Sequence, residues 1–412
     1  MSRSKLVLFS SLLFALCCVG FCAGQASNSS TPEMAKSFFG ADFSGYNPWP
    51  PTDSQAVKAK LGGIRLWDDD VKWAEVETAN KTYDWKKLDT WVDDAQDEGY
   101  DLLYTFGDTP KFAGKIPKGS PCLSAQGSYS CSAPTDVNTD GTGTDDYFSN
   151  FVTALVTRYK GQIAYYELWN EPDCNCFFAG TQAQLVRMSK DAAGIIRSID
   201  PNAKILSPSA HGGTMKTWFA GYIDAGGLPY FDYVNFHGRG AGNSNENPEE
   251  FLTVYGDVTS ELAKLKITKA VFDDEWGPKK GQVSSDMVPS FVARGLVLRA
   301  GVGIMRQYFY QWDAPSPLGL QGVSAGTAYD QVNDWVVGYT ISPCTTSGTI
   351  YTCKLSKGQI VWDSSQTCDS NGCSTKPYTY PSDVTKSHDI SGNTKTLSGK
   401  TLPLGVEPLL LN

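Results

Sequence analysis

Between residues 37 and 314 the chain repeats one pattern: a short apolar run, a loop, then a stretch in which apolar residues recur at three- and four-residue steps. The runs fall at 37–41, 63–67, 102–106, 163–168, 205–207, 233–236, 270–273 and 304–310. Runs this short and this apolar read as buried parallel strands, and the periodic stretches between them as helices that cover the sheet. Eight such units over this length fit a closed barrel better than an open doubly wound sheet, so the pattern predicts an α/β fold, a (β/α)8 TIM barrel.

The intervening segments carry helix signals. Phe148, Phe151, Val152, Leu155, Val156 and Tyr159 lie on one stripe that would face the strands. Thr181 is placed to cap a helix that runs to about Ile199 and is stopped by Asp200-Pro201. Pro248-Glu249-Glu250 sets proline and acidic groups in a first turn, where the helix dipole favours them. Gly99 ends the helix that carries Trp85, Leu88, Val92 and Ala95. After Ala314 the texture changes to short β-rich runs separated by Gly, Ser, Pro and Asn, with no clear helix beyond 332–337. The expected organisation is therefore a barrel over 27–335 and a small β-sandwich-like domain over 336–412. Strands at 395–397 and 406–411 are the candidates to pack that domain on the barrel.

The first 26 residues stand apart. Arg3 and Lys5 precede an apolar run from Leu6 to about Phe21, and the small residues Gly24 and Ala26 follow. This is the layout of a secretory signal peptide, too short in its apolar part for a spanning helix, and it predicts an exported protein with no membrane attachment once the signal is removed. Removal takes away two basic residues and no acidic one, moving the formal charge from −9 to −11 (33 basic against 44 acidic). That balance excludes a phosphate backbone as partner. Eight of the 11 Cys remain, which favours disulfides in an oxidising compartment. The pairs nearest in sequence are Cys122 with Cys131, Cys344 with Cys353 and Cys368 with Cys373; Cys174 and Cys176 could close a tight ring or reach elsewhere. Asn28 and Asn80 begin N-x-S/T sequences. With only three His in the chain and no paired-His motif, no metal and no cofactor are expected.

The chemistry lies at the strand ends. The fourth run ends in Trp169-Asn170-Glu171-Pro172-Asp173 and the seventh in Asp273-Asp274-Glu275-Trp276-Gly277. In a parallel barrel both ends lie on the catalytic rim, and two carboxylates on one rim are the apparatus for cleaving a glycosidic bond. Trp-Asn-Glu-Pro, together with a Glu followed by an aromatic residue and Gly, resembles the clan A glycoside hydrolases. Upstream, Trp73, Tyr83-Asp84-Trp85, Leu88-Asp89 and Tyr104-Thr105-Phe106-Gly107-Asp108-Thr109-Pro110 look like glycoside hydrolase family 39 or a close neighbour.

The resemblance implies a secreted retaining enzyme acting on β-glycosidic bonds of an oligo- or polysaccharide. Glu171 matches the acid/base, whose site has to raise its pKa. Glu275 matches the nucleophile. Asn170 matches the holder of the sugar 2-hydroxyl, Arg65 a support of the nucleophile, and His237 a substrate-binding residue. Trp312 would floor the sugar site with its ring, and Trp276 is a further substrate contact. One departure concerns residue 239. A Tyr commonly follows the strand-six His in this clan, whereas Phe236-His237-Gly238-Arg239-Gly240 stands here. Arg239 either replaces that Tyr beside the nucleophile, binds an anionic group of the substrate, or points to solvent. Asp68, Asp108, Asp173, Asp273, Asp274 and Asp313 also lie near the rim. The rival reading is a catalytically silent carbohydrate-binding barrel, distinguished by whether glycosides are turned over.

Overall fold

The computed structural model describes residues 32–43, 60–115, 122, 129–239, 247–278, 281–313, 319–321 and 323–412. The expected signal peptide and Asn28 lie outside them.

Eight parallel strands form the barrel: β1 (Phe39–Asp42), β2 (Gly63–Leu66), β3 (Asp101–Thr105), β4 (Tyr165–Glu167), β5 (Lys204–Leu206), β6 (Val234–His237), β7 (Val271–Trp276) and β8 (Arg306–Phe309). Each overlaps one of the apolar runs. Strand β8 pairs with β1, Phe39 opposite Gln307. On the other side the ring closes through a parallel bridge between Leu206 and Tyr233, where Ser207 N–H donates to the Tyr233 carbonyl at 2.9 Å.

Alternation along the strands sorts the interior into layers. Leu103, Tyr165, Leu206, Phe272 and Tyr308 form an apolar layer within the barrel. Two residues further on, Thr105, Glu167, Asp274 and Tyr310 carry the interior toward the mouth. Apolar packing below and charge above is what fixes polar side chains at one end of a close-packed core.

Helices at Lys86–Glu98, Asp146–Arg158, Gln182–Ile199, Glu250–Lys264, Val288–Gly301 and Ser324–Val336 cover the strands. Thr181 does cap its helix, with Gln184 answering in a reciprocal pair. Gly99, at φ 71°, takes the left-handed turn that ends another. The last helix begins at Ser324, eight residues before the expected start, because Ala325, Ala328 and Tyr329 extend its buried stripe beyond what short apolar residues announce in sequence.

The C-terminal part is antiparallel. A six-stranded sheet holds 345–347, 350–355, 358–363, 409–411, 386–388 and 394–396, and a two-stranded ribbon pairs 376–379 with 401–404. Val361, Tyr380, Leu402, Leu404 and Leu411 pack between them. Ile360, Trp362 and Leu410 join the barrel's own core, and Trp362 Nε1 donates to Glu249 at 2.6 Å. Of the two candidate packing strands, 409–411 is buried in the sheet, whereas 394–396 is a fully exposed edge that pairs with 386–388. Its Thr-Lys-Thr sequence has no apolar residue to bury. Disulfides join Cys122 to Cys131, Cys174 to Cys176, Cys344 to Cys353 and Cys368 to Cys373. Asn80 is exposed in the turn of a hairpin formed by Glu77–Ala79 and Thr82–Tyr83. Among the described residues no helix is long and apolar enough to cross a membrane.

Candidate active site

Strict alternation along β7 would turn Phe272, Asp274 and Trp276 inward and Glu275 outward. The register with β8 slips between Asp273 and Trp276, so that three steps on β7 match two on β8. This bulge re-aims the strand. Asp274 and Glu275 both face the interior, and Trp276 turns to the helices, where its Nε1 donates to Gln307 at 2.5 Å and Arg299 lies 3.9 Å over its ring. The expectation that Trp276 contacts substrate is therefore corrected: the bulge inverts the face on which the aromatic residue falls.

Beyond β4, Asn170 and Glu171 occupy the rim. Glu171 has φ 41°, a left-handed conformation that costs roughly 1–2 kcal/mol for a residue with a Cβ. Its N–H donates to Ser209 Oγ at 3.2 Å. Strain held by the surrounding loops is a feature of functional positions.

Arg65, wholly buried on β2, organises the floor. Its Nη1 lies 3.0 Å from Asp42 Oδ1 and 3.2 Å from Glu275 Oε2. Nη2 reaches Glu167 Oε2 at 3.0 Å and donates to Asn170 Oδ1 at 2.7 Å, while Nε is 3.0 Å from Asp274 Oδ2. Four carboxyls round one guanidinium cannot all be ionised in a low dielectric. Burial pushes Glu167 up to about 8, against the pull of Arg65. It raises Asp42 likewise. For Asp274 burial also pushes upward, but Arg65 and His237 prevail and hold it below the usual carboxylate range. Asn235 Nδ2 donates to Asp274 Oδ2 at 2.7 Å and Thr105 Oγ1 to Glu167 Oε2 at 2.7 Å.

Glu171 faces Glu275 across this floor. One carboxylate oxygen of each, together with a ring nitrogen of His237, lie within 4.8 Å of one another. His237 Nδ1 is 2.7 Å from Glu171 Oε1 and 3.7 Å from Glu275 Oε2. His211, on a two-residue strand that extends β5, places Nε2 3.0 Å from the same Glu171 oxygen. Here the sequence expectation of a raised acid is corrected. Burial does push Glu171 up, but His237 and His211 outweigh it and hold the carboxyl below its ordinary value.

Arg239, of which three orientations were open, donates from Nη2 to Glu275 Oε1 at 2.5 Å and stacks 4.8 Å over Tyr310. Tyr310 in turn donates to Asp68 Oδ2 at 2.6 Å. Lys72 Nζ lies 3.3 Å from Asp68, 3.4 Å from Asp108 and 4.3 Å over the Trp67 ring. Burial pushes Asp108 up to about 7 despite Lys72. Trp312 is nearly buried against Phe43, and its N–H donates to the Asp42 carbonyl at 2.8 Å. Its indole Nε1 and the Asn170 Nδ2 are buried without a partner among the described residues.

Sequence reasoning passed over Asp42, Glu167, His211, Lys72 and Tyr310. The signal for Glu167 was present: a charged residue inside the run Tyr165-Tyr166-Glu167-Leu168 has to be paired. His211 follows the Pro208 break in the strand and has no such mark.

A family model described as Cellulase (glycosyl hydrolase family 5) matches residues 54–258. Among solved structures, the chain is similar to a family 39 glycoside hydrolase from the gut symbiont Bacteroides cellulosilyticus, with 18% identity, 93% of this chain and 83% of the other covered, and TM-score 0.67. A family 30 subfamily 8 xylanase from Clostridium acetobutylicum gives 14% identity, coverage of 93% and 97%, and TM-score 0.60. A family 44 xyloglucanase from Paenibacillus polymyxa gives 12%, 93% and 97%, and 0.53.

Proposed function

We propose that the chain, which matches a family 5 glycosyl hydrolase model over residues 54–258 and is similar in fold to a family 39 enzyme, is an exported retaining glycoside hydrolase that cleaves β-glycosidic bonds in an oligo- or polysaccharide, with Glu275 as nucleophile and Glu171 as acid/base. The approach of the two carboxyls within 4.8 Å, measured between oxygens that also flank His237, carries this reading. Nearest oxygens within that distance suit the carboxyl spacing of about 5–5.5 Å of double displacement better than the roughly 6.5–9.5 Å of an inverting pair.

In the first step Glu275 attacks the anomeric carbon, the glycosidic bond breaks, and the leaving oxygen takes a proton from Glu171. In the second, Glu171 removes a proton from water, whose oxygen bonds to the anomeric carbon and releases Glu275. Arg65 and Arg239 hold one Glu275 oxygen each, which fixes the attacking carboxylate in place before the substrate arrives. The unpartnered Asn170 Nδ2 supports a contact to the sugar 2-hydroxyl, and Trp312 a place on the floor of the site.

The substrate class rests on the kinds of enzyme that share the fold, which include xylanases and a xyloglucanase; β-linked xylose or glucose backbones are the first to test. Export is supported by the signal-like N-terminus and four disulfides. The test is release of reducing ends from a panel of β-xylans and β-glucans. Turnover by the wild type and its loss in Glu171→Gln and Glu275→Gln is the expected result. Turnover by none of the three, with retained polysaccharide binding, would favour the silent carbohydrate-binding barrel.

A further inference from the structure

Glu171 is not the only group in its proton network. Two residues beyond it, Asp173 Oδ2 accepts from Thr214 Oγ1 at 2.6 Å and from the His211 N–H at 3.2 Å, and lies 2.9 Å from His211 Nδ1. The other face of the same imidazole meets Glu171 Oε1 at 3.0 Å. A carboxylate, an imidazole and the acid/base thus form one line: Asp173, His211, Glu171. The short Glu-Pro-Asp segment fixes both carboxyls relative to each other, and Thr214 locks the outer one.

The geometry sets the proton count. A neutral imidazole has one N–H and can donate to only one of its two carboxyl neighbours. The His211 ring and Thr214 hold Asp173 below its ordinary value despite burial, so Asp173 is the acceptor and Nδ1 carries hydrogen. The contact between Nε2 and Glu171 then requires one further proton, placed either on the ring nitrogen or on the carboxyl. His237 cannot play the same part. It is wholly buried, with its Nε2 3.3 Å from Asp274 and its Nδ1 between both catalytic carboxyls. The His211 side chain is 44% exposed and can exchange with solvent.

We infer that His211, oriented by Asp173, is the positioning residue of the acid/base: it holds the Glu171 carboxyl in place and stores the proton that Glu171 delivers. In glycosylation that proton passes from Nε2 to the Glu171 carboxyl and on to the leaving oxygen, leaving His211 neutral. In deglycosylation the carboxylate takes a proton from the attacking water and returns it to Nε2. The cycle closes with no net proton gained or lost. This rests on the acid/base role of Glu171 proposed above. The charged groups that face the pair are Asp173 from the loop after β4, His237 from β6 with its ring 6.1 Å away, Glu275 from β7 with an oxygen within 4.8 Å of one of Glu171, and Arg239, whose charge reaches Glu171 from beyond β6. Asp173 and Glu171 together raise His211 to about 9.

The experiment compares wild type, His211→Asn and Asp173→Asn on two β-glycosides, one with a dinitrophenolate leaving group that needs no proton and one with an alkyl leaving group that does. The variants should lose a share of the roughly 10²–10⁴-fold that general acid catalysis supplies on the alkyl glycoside, and little on the dinitrophenyl one. The alkaline limb of kcat/KM should move to lower pH in both variants. Equal losses on the two substrates, or an alkaline limb that stays in place, overturn the inference while leaving the hydrolase reading intact. No turnover of either glycoside by the wild type removes both. Should a variant fail to fold, imidazole nitrogen NMR on the wild type decides, since the chain has only three His. An assigned His211 that titrates well above its ordinary value, and falls back toward it in Glu171→Gln, supports the inference; one that titrates near 6.5 in both contradicts it.

Discussion

Arg239 Nη2 lies 2.5 Å from Glu275 Oε1, and the guanidinium rests on the ring of Tyr310. The oxygen that Arg239 holds is the one that Arg65 leaves free, so the proposed nucleophile is gripped from two sides by groups that stay charged at every working pH. Substitution of Arg239 by Ala should lower kcat by about 10²–10³-fold, the usual effect of losing one preorganised donor, with the fold retained. Steady-state kinetics beside a thermal melt checks this. A variant with unchanged kcat would show that the contact is ornamental to the chemistry.

Arg65 is a different case, because it holds the fold as well as the site. Its removal leaves Asp42, Glu167 and Asp274 facing one another in the interior with His237, 3.3 Å from Asp274, as the nearest remaining cationic group. Arg65→Met should therefore destabilise the protein by about 3–5 kcal/mol, read from denaturant unfolding, and Arg65→Lys should not restore it, since one ammonium cannot reach carboxyls on β1, β4 and β7 together.

Stability should peak on the acid side of neutrality. Glu167 and Asp108 are pushed up to about 8 and about 7, and the buried Asp145 to about 8 by burial and by Asp191. Each binds its proton more tightly folded than unfolded, so stability falls as the pH rises from about 4 through 8. His211 acts in the same direction, its contribution complete below about 6.5 and lost as the pH rises through about 9. Glu171, Asp173 and Asp274 are lowered, and what they contribute is lost only as the pH falls below about 4. Melting temperatures across pH 4 to 9 should decline toward the alkaline end, and Asp145→Asn should reduce that decline.

The two tryptophans at the ends of β7 and β8 should separate cleanly. Trp276→Phe removes the indole donor to Gln307 and part of the platform under Arg299, which lowers stability by about 1–3 kcal/mol, with little change in KM. Trp312→Ala should raise KM for oligosaccharides far more than Trp276→Phe does. The reverse order would place Trp276 back among the substrate contacts.

The eight strands and the capped helices could be read from the chain because each depends on local alternation and local caps, as at Thr181 and Gly99. The Trp276 error has a local cause too, but one that leaves no trace in composition: a single slip of register at Asp273 reverses the face of every later residue on the strand. The low pKa of Glu171 was not legible for a different reason. It depends on His211 and His237 arriving from 40 and 66 residues further on in the chain, and burial alone argues the opposite sign. Arg65 was placed beside the nucleophile by resemblance, whereas its role as the hub for Asp42, Glu167 and Asp274 emerges only when β1, β2, β4 and β7 close into a ring.

The most direct test of the central claim is trapping with a 2-deoxy-2-fluoro β-glycoside that carries a good leaving group, followed by peptide mass spectrometry. The account predicts one covalent glycosyl adduct, on the peptide that contains Glu275, accumulating fully in the wild type. An adduct on any other carboxylate, or turnover that releases the inverted anomer with no adduct, would contradict it.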